Sequence, residues 1–225
     1  MKKRTSILLH LLLAIIVIVE LTGRITDNIN LEYPVKPLIM IWMALYFLIY
    51  KNKKEFILPV LIAFFFSWVG DNFLMFSGKN ELFFYAGVGG FFLAQLTYIY
   101  IFARYSEKGG KGYLQKNLII GFLFIAYGAG ILYLLYPGLE GIMKPIILIY
   151  ALSLIGMSVM ALNRHGRVNH LSFLLVFIGS VLFVLSDSML ALNKFYAEFS
   201  LAGFWTMFSY IAAQYLIMQG LILEK

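Results

Sequence analysis

The sequence predicts an all-α polytopic membrane protein: eight transmembrane helices arranged as two parallel four-helix repeats, with the N- and C-termini cytoplasmic. Three observations predict it. Of the 225 residues, 62% are hydrophobic and 13% charged, whereas soluble domains carry roughly 45–50% apolar and about 25% charged residues. Mean hydropathy is +0.87. Apolar runs long enough to cross a bilayer recur along the whole chain, and several of their sequence elements are written twice.

The spans follow in order. MKKR opens the chain before an apolar stretch, as in a signal peptide, but no small-residue cleavage site follows and Glu20 and Arg24 come next. This is read as an uncleaved first span, 5–22. Charged or Gly/Pro punctuation then sets off 33–50, 56–76, 82–103, 117–136, 142–162, 171–192 and 201–222. A helix needs about 20 apolar residues to cross the roughly 30 Å hydrocarbon core. Eight such spans leave only short connections, so 1–225 is one transmembrane domain with no soluble module. The predicted location is the bacterial inner (cytoplasmic) membrane.

Charge placement tests the count independently. With the N-terminus inside, the inner segments hold Lys2, Lys3, Arg4, Lys51, Lys53, Lys54, Arg104, Lys108, Lys111, Lys116, Arg164, Arg167 and Lys225. The outer segments hold Arg24, Lys36, Lys79, Lys144 and Lys194. That split, 13 against 5, fits eight spans with both ends cytoplasmic. The net charge of +7 is therefore a matter of topology, and no nucleic-acid partner is expected. Cysteine is absent, which excludes thiolate chemistry.

KPLIMIW at Lys36 returns as KPIILIY at Lys144, GDNFLM around Asp71 returns as SDSMLAL around Asp187, and Ala94-Gln95 returns as Ala213-Gln214. The offsets are 108, 116 and 119 residues. Four spans per half is an even number, so the halves (about 1–103 and 117–225, linked by 104–116) share one orientation, a parallel repeat. At 1.5 Å per residue, Asp71 and Asp187 both sit roughly 22–24 Å from the cytoplasmic face. Glu20 falls at the same level, and Lys36 and Lys144 begin outward-facing helix ends. Five ionisable groups are thus expected in one layer.

An ionised carboxylate inside a lipid-spanning helix costs several kcal/mol unless it is partnered, protonated or facing water. Two such acids at matching places predict one polar cavity. Burial disfavours the ionised form and a nearby lysine favours it, so unequal surroundings can hold one acid protonated and the other charged. That division suits general acid catalysis with an electrostatic partner, and Asp71 and Asp187 are the candidate catalytic residues. A structural ion pair is the bland alternative. Proline suits the first helical turn, and a lysine there opposes the helix dipole and calls for an anion. Lys36 and Lys144 are therefore expected to meet an aspartate, Glu20 or a lipid phosphate, unless they simply snorkel to the interface.

Asn72 and Ser186 are candidate hydrogen-bonding groups beside the acids, as is Ser188, against the alternative of bonding their own helices. Ser67 and Ser180 keep the same stripes small or polar. Gln95, Gln214, Tyr98 and Tyr210 are expected as pocket lining, the glutamines roughly 10 Å below the aspartates by rise. The glycines of GVGG (87–90), Gly128 and Gly130 are expected to permit close helix approach. No GxSxG or HExxH motif occurs. His10, His165 and His170 lie toward the predicted inner side, so no metal and no cofactor are expected.

At these residues the chain resembles the YhhN family, whose animal members are lysoplasmalogenases. The matches are Gly70-Asp71-x-x-Leu74, Gly90-Phe91 with Ala94 and Tyr98, and Phe183 with Ser186-Asp187-Ser188-x-Leu190-Ala191 and Phe195. Tyr210-x-x-Ala213-Gln214 closes the pattern and Lys36-Pro37 opens it. The pattern often has histidine before the tyrosine of the fourth span, where this chain has Gln95. The resemblance implies hydrolysis of the vinyl ether bond of a lysoplasmalogen within the bilayer, giving a fatty aldehyde and a glycerophospho-base. Asp71 and Asp187 would divide the acid and base roles, and Lys36 and Lys144 would hold phosphate or set the aspartates' ionisation. The competing readings are a small proton-coupled transporter or lipid translocator, a non-catalytic membrane protein of the same fold, and a hydrolase of another lysolipid.

Overall fold

The computed structural model describes residues 2–51, 54–104, 112–116 and 118–224. Eight long helices account for most of them: α1 (Lys2–Thr26), α2 (Ile29–Tyr50), α3 (Lys54–Met75), α4 (Glu81–Arg104), α6 (Leu118–Leu135), α7 (Met143–Leu162), α8 (His170–Phe195) and α9 (Ala202–Ile222). The short α5 (Tyr113–Lys116) precedes α6, and a 3-10 turn, Tyr136–Gly138, follows it. Most of the expected linker, residues 105–111, lies outside the described residues. Among the described residues seven helices are long and apolar enough to cross a membrane, as expected of a multi-pass membrane protein. The eighth expected span, α9, does not join them. It is 21 residues long, but Thr206, Ser209, Gln214 and Gln219 dilute its apolar character.

The chain forms two compact units, Met1–Ala94 and Gln95–Lys225, divided within α4. In the first, α2 packs on both α1 and α3. Its core joins Ile39, Met43 and Phe47 of α2 to Val60, Ala63 and Phe64 of α3, all essentially sealed from solvent. Phe47 meets Phe64 edge-on at 6.0 Å. The Trp42 indole donates to the Leu9 carbonyl of α1 at 2.8 Å. A side chain on Gly90 of α4 would fall 2.7 Å from the backbone nitrogen of Gly70, and one on Gly87 would fall 2.7 Å from Leu74. These glycines let α3 and α4 meet backbone to backbone, whereas Gly89 and Gly130 have nothing within 4 Å.

One boundary moves chemistry. The second span was expected at 33, which would put Lys36-Pro37 in a first turn, but α2 begins at Ile29. Asn28 caps it, its side chain accepting from the Asn30 N–H at 3.1 Å. Arg24 then ties Glu32 to α1 at 2.9 Å. Lys36 therefore lies inside the helix, where the terminal-dipole argument no longer applies. Lys144, by contrast, does fall in the first turn of α7.

In the second unit α8 packs along α9, with α7 and α6 against α8. Val176, Phe183, Ala213, Ile217, Met218 and Leu221 are fully enclosed. Gly179 lies against the Ala213 carbonyl and Gly220 against that of Ser172 (2.8 and 2.9 Å from a would-be Cβ), so these two helices also touch through backbone. Arg164, just past α7, donates to Glu224 at 2.6 Å with both side chains enclosed.

Candidate functional site

Each unit carries a buried aspartate with its own set of partners. In the first, Asp71 on α3 is 3% exposed, and its Oδ1 lies 4.0 Å from Lys36 Nζ. The i,i+4 pair Glu20–Arg24 on α1 is bonded at 3.2 Å, and Arg24 reaches on to Glu32. Glu32 and Lys36 are themselves four residues apart, so α1 and α2 present a ladder of alternating charge. Such burial is sustainable because each ion has an opposite neighbour: an isolated one would cost several kcal/mol. Glu20, Lys36 and Asp71 are thus brought into one unit's interior, as their sequence positions suggested. Arg24 and Glu32 complete the ladder and were not singled out. The i,i+4 spacings 20/24 and 32/36 were the available signal. Asn72 spends its amide on its own helix, donating to the Trp68 carbonyl at 2.7 Å.

In the second unit Asp187 on α8 is 9% exposed. Its Oδ2 accepts two hydrogen bonds, from the Tyr150 hydroxyl of α7 at 2.5 Å and from Gln95 Nε2 at 3.3 Å. The first has the length of a charge-assisted O–H···O bond. Gln95 Oε1 in turn accepts from the Ser153 hydroxyl, which also lies 2.8 Å from the Tyr150 carbonyl. The amide stands with its oxygen toward Ser153 and its NH₂ toward the carboxylate.

Two sequence expectations change here. Gln95 is not a layer below Asp187 but in contact with it. Rise counted along separate helices ignores tilt and the reach of a glutamine, and α8 extends to Phe195. Lys144 is exposed, its ammonium 4.5 Å from the centre of the Tyr136 ring. Tyr150 and Ser153 were not anticipated. Tyr150 ends the repeated segment KPIILIY, where the first copy has Trp42, and that alignment was the available signal.

The surrounding polar groups hold the unit together. Tyr98 donates to Gln214 Oε1 at 2.6 Å, and Gln214 Nε2 lies 3.5 Å from the Tyr210 hydroxyl. Ser186 donates to the Thr206 carbonyl at 2.9 Å, joining α8 to α9. Tyr127 donates to Ser188 at 2.9 Å, joining α6 to α8. Beside Lys144, an apolar surface groove of about 570 Å³ is lined by Leu132, Tyr133, Tyr136, Pro137 and Tyr196 among others.

The chain belongs to the YhhN family, whose profile matches residues 31–221, the stretch that carries both aspartates and all of their partners named above except Glu20 and Arg24. No solved structure matches it.

Proposed function

From membership in this family and the two buried carboxyl groups, we propose that the protein is a lysoplasmalogenase-like intramembrane hydrolase. It cleaves the vinyl ether bond of a lysophospholipid to a fatty aldehyde and a glycerophospho-base. Protonation of the vinyl carbon creates an oxocarbenium ion. A carboxylic acid in a low-dielectric site can supply that proton, and a second carboxylate can stabilise the cation and activate water, as in glycoside hydrolysis. Each unit supplies one buried carboxyl that can serve in such a role, Asp71 in the first and Asp187 in the second. The observation that carries the reading is Asp187 itself, a carboxyl on an apolar helix that receives two donors on one oxygen.

Lys36 tunes Asp71, its buried partner. Lys144 is the phosphate ligand, because it stands exposed at a helix start beside the aromatic groove, and that groove takes part of the substrate's chain. The protein acts in the bacterial inner membrane on substrate reaching it through the bilayer.

The test is aldehyde release from a 1-alkenyl lysophospholipid by purified protein in lipid nanodiscs, with the 1-acyl analogue as comparison. Wild type releases aldehyde, and Asp71→Asn and Asp187→Asn do not. Full activity in both variants would sink the two-carboxylate mechanism. Turnover of the acyl analogue alone would assign a different lysolipid.

A further inference from the structure

The charge ladder of the first unit joins three acids, Glu20, Glu32 and Asp71, to two bases, Arg24 and Lys36. Arginine keeps its proton in any protein setting, so with every acid ionised these five groups would carry one negative charge in excess. Glu20, Glu32, Lys36 and Asp71 are each no more than 6% exposed. A buried ionisable group without its own counter-charge neutralises itself rather than stay charged. We propose that the first unit binds a proton at Glu20, which is a neutral carboxylic acid at neutral pH while Glu32 and Asp71 remain carboxylates. That proton is held within the first unit whether or not the protein hydrolyses a vinyl ether.

The pairing decides which acid takes it. Glu32 has Arg24 at 2.9 Å. Asp71 faces Lys36 and has a further interaction besides. Glu20 is the deepest of the three, 0% exposed, and must share Arg24 with Glu32. It receives one contact, from Arg24 Nε to Oε1 at 3.2 Å. Its Oε2 is buried and has no hydrogen-bond partner among the described residues. A carboxylate carries charge on both oxygens, so an orphaned one costs it more than it costs a neutral acid.

The groups that face Glu20 come from two helices: Arg24 of α1, and Glu32 and Lys36 of α2. Lys36 in turn answers to Asp71 of α3. Gly23 brings α1 and α2 together here, since a side chain on it would fall 2.7 Å from Glu32 Cγ. The stem of Glu32 therefore lies against bare backbone between Glu20 and Arg24, and its carboxylate takes the arginine.

Two measurements test the site. Infrared difference spectra of wild type against Glu20→Gln at neutral pH, in lipid nanodiscs, should show loss of a protonated-carboxyl stretch. Loss of a carboxylate stretch would overturn the assignment. The second is thermal unfolding against pH. An ordinary glutamate releases its proton near pH 4.3, so a site that keeps it when folded loses stability as pH rises past about 5. Wild type should therefore fall progressively behind Glu20→Gln from about pH 5 to pH 8, by several degrees at the end. The trend is the reading, because any fixed offset belongs to the substitution. A gap that does not move with pH, or one that turns in favour of wild type, would overturn the proposal. If Glu20→Gln does not fold, wild type carrying isotope-labelled glutamate decides. A labelled protonated-carboxyl stretch at neutral pH is expected, and its absence would overturn the site.

Discussion

The buried charge pair of Arg164 with Glu224 in the second unit permits a quantitative test of how that unit is closed. One guanidinium nitrogen donates to Glu224 Oε2 at 2.6 Å and to Ser172 Oγ at 3.2 Å. Ser172 in turn donates to the Gly220 carbonyl at 2.8 Å, and the guanidinium carbon lies 5.5 Å from the centre of the Phe102 ring. The two side chains are 1% and 0% exposed, so screening by solvent is slight. Glu224→Gln keeps the shape and strands the arginine's charge. Breaking a buried pair from one side costs about 3–5 kcal/mol. For a chain of this length each kcal/mol moves Tm by about 2–4 °C, which gives a drop of about 6–20 °C. The assay is thermal unfolding in detergent, followed as the loss of the monodisperse size-exclusion peak. Replacing both partners, Arg164→Met with Glu224→Leu, should recover most of the loss, because well-packed apolar residues substitute for a buried pair at little cost. A Glu224→Gln protein melting within about 1 kcal/mol of wild type would refute the reasoning. So would a double variant that loses the sum of the single ones.

Further outcomes follow from the other contacts. Gly90→Ala should cost about 1–3 kcal/mol, because its methyl would meet the Gly70 backbone and overpacking has that scale. Gly89→Ala, with open space around it, should be neutral or gain up to about 1 kcal/mol in helix propensity, and melting of the two variants side by side checks both. Lys144→Gln should raise KM for the phosphate-bearing substrate by roughly tenfold and leave kcat near wild type, as expected when an interaction common to ground and transition state is removed. Lys36→Met should destabilise the first unit by about 3–5 kcal/mol in the same melting assay by stranding Asp71. It should also lower kcat, and steady-state kinetics on both lysine variants separates their roles.

Much of this was legible in the residues. Each helix was expected within a few residues of where it stands, because length and apolarity decide a span and charged or Gly/Pro punctuation decides its ends. Glu20, Lys36 and Asp71 were singled out by their charge alone and share one interior. The misses have a common cause. Tyr150 and Ser153 carry no signal in a hydropathy pattern, since a tyrosine or serine in an apolar run reads as packing until its partner is known. The extra first turn of α2 rests on Asn28 and on the Arg24–Glu32 bond, a contact between two helices that a linear scan does not contain. Gln95 was misplaced for the same reason: depth along an axis is local, whereas its contact with Asp187 depends on how α4 and α8 cross. The matching lysines diverged because Lys36 faces an acid and Lys144 a phenol ring.

The glycines behind Asp71 also bear on which sequences this site can accept. A methyl on Gly70 would strike the Phe91 ring at 2.6 Å, and a ring can be trimmed or turned. A methyl on Gly90 would strike main-chain atoms, for which no neighbouring substitution can make room. In a randomised library, residue 70 should therefore accept alanine when position 91 shrinks alongside it, while residue 90 should stay glycine in every background. The direction in which Asp71 points is thereby set by main-chain contact, beyond the reach of compensating side-chain changes.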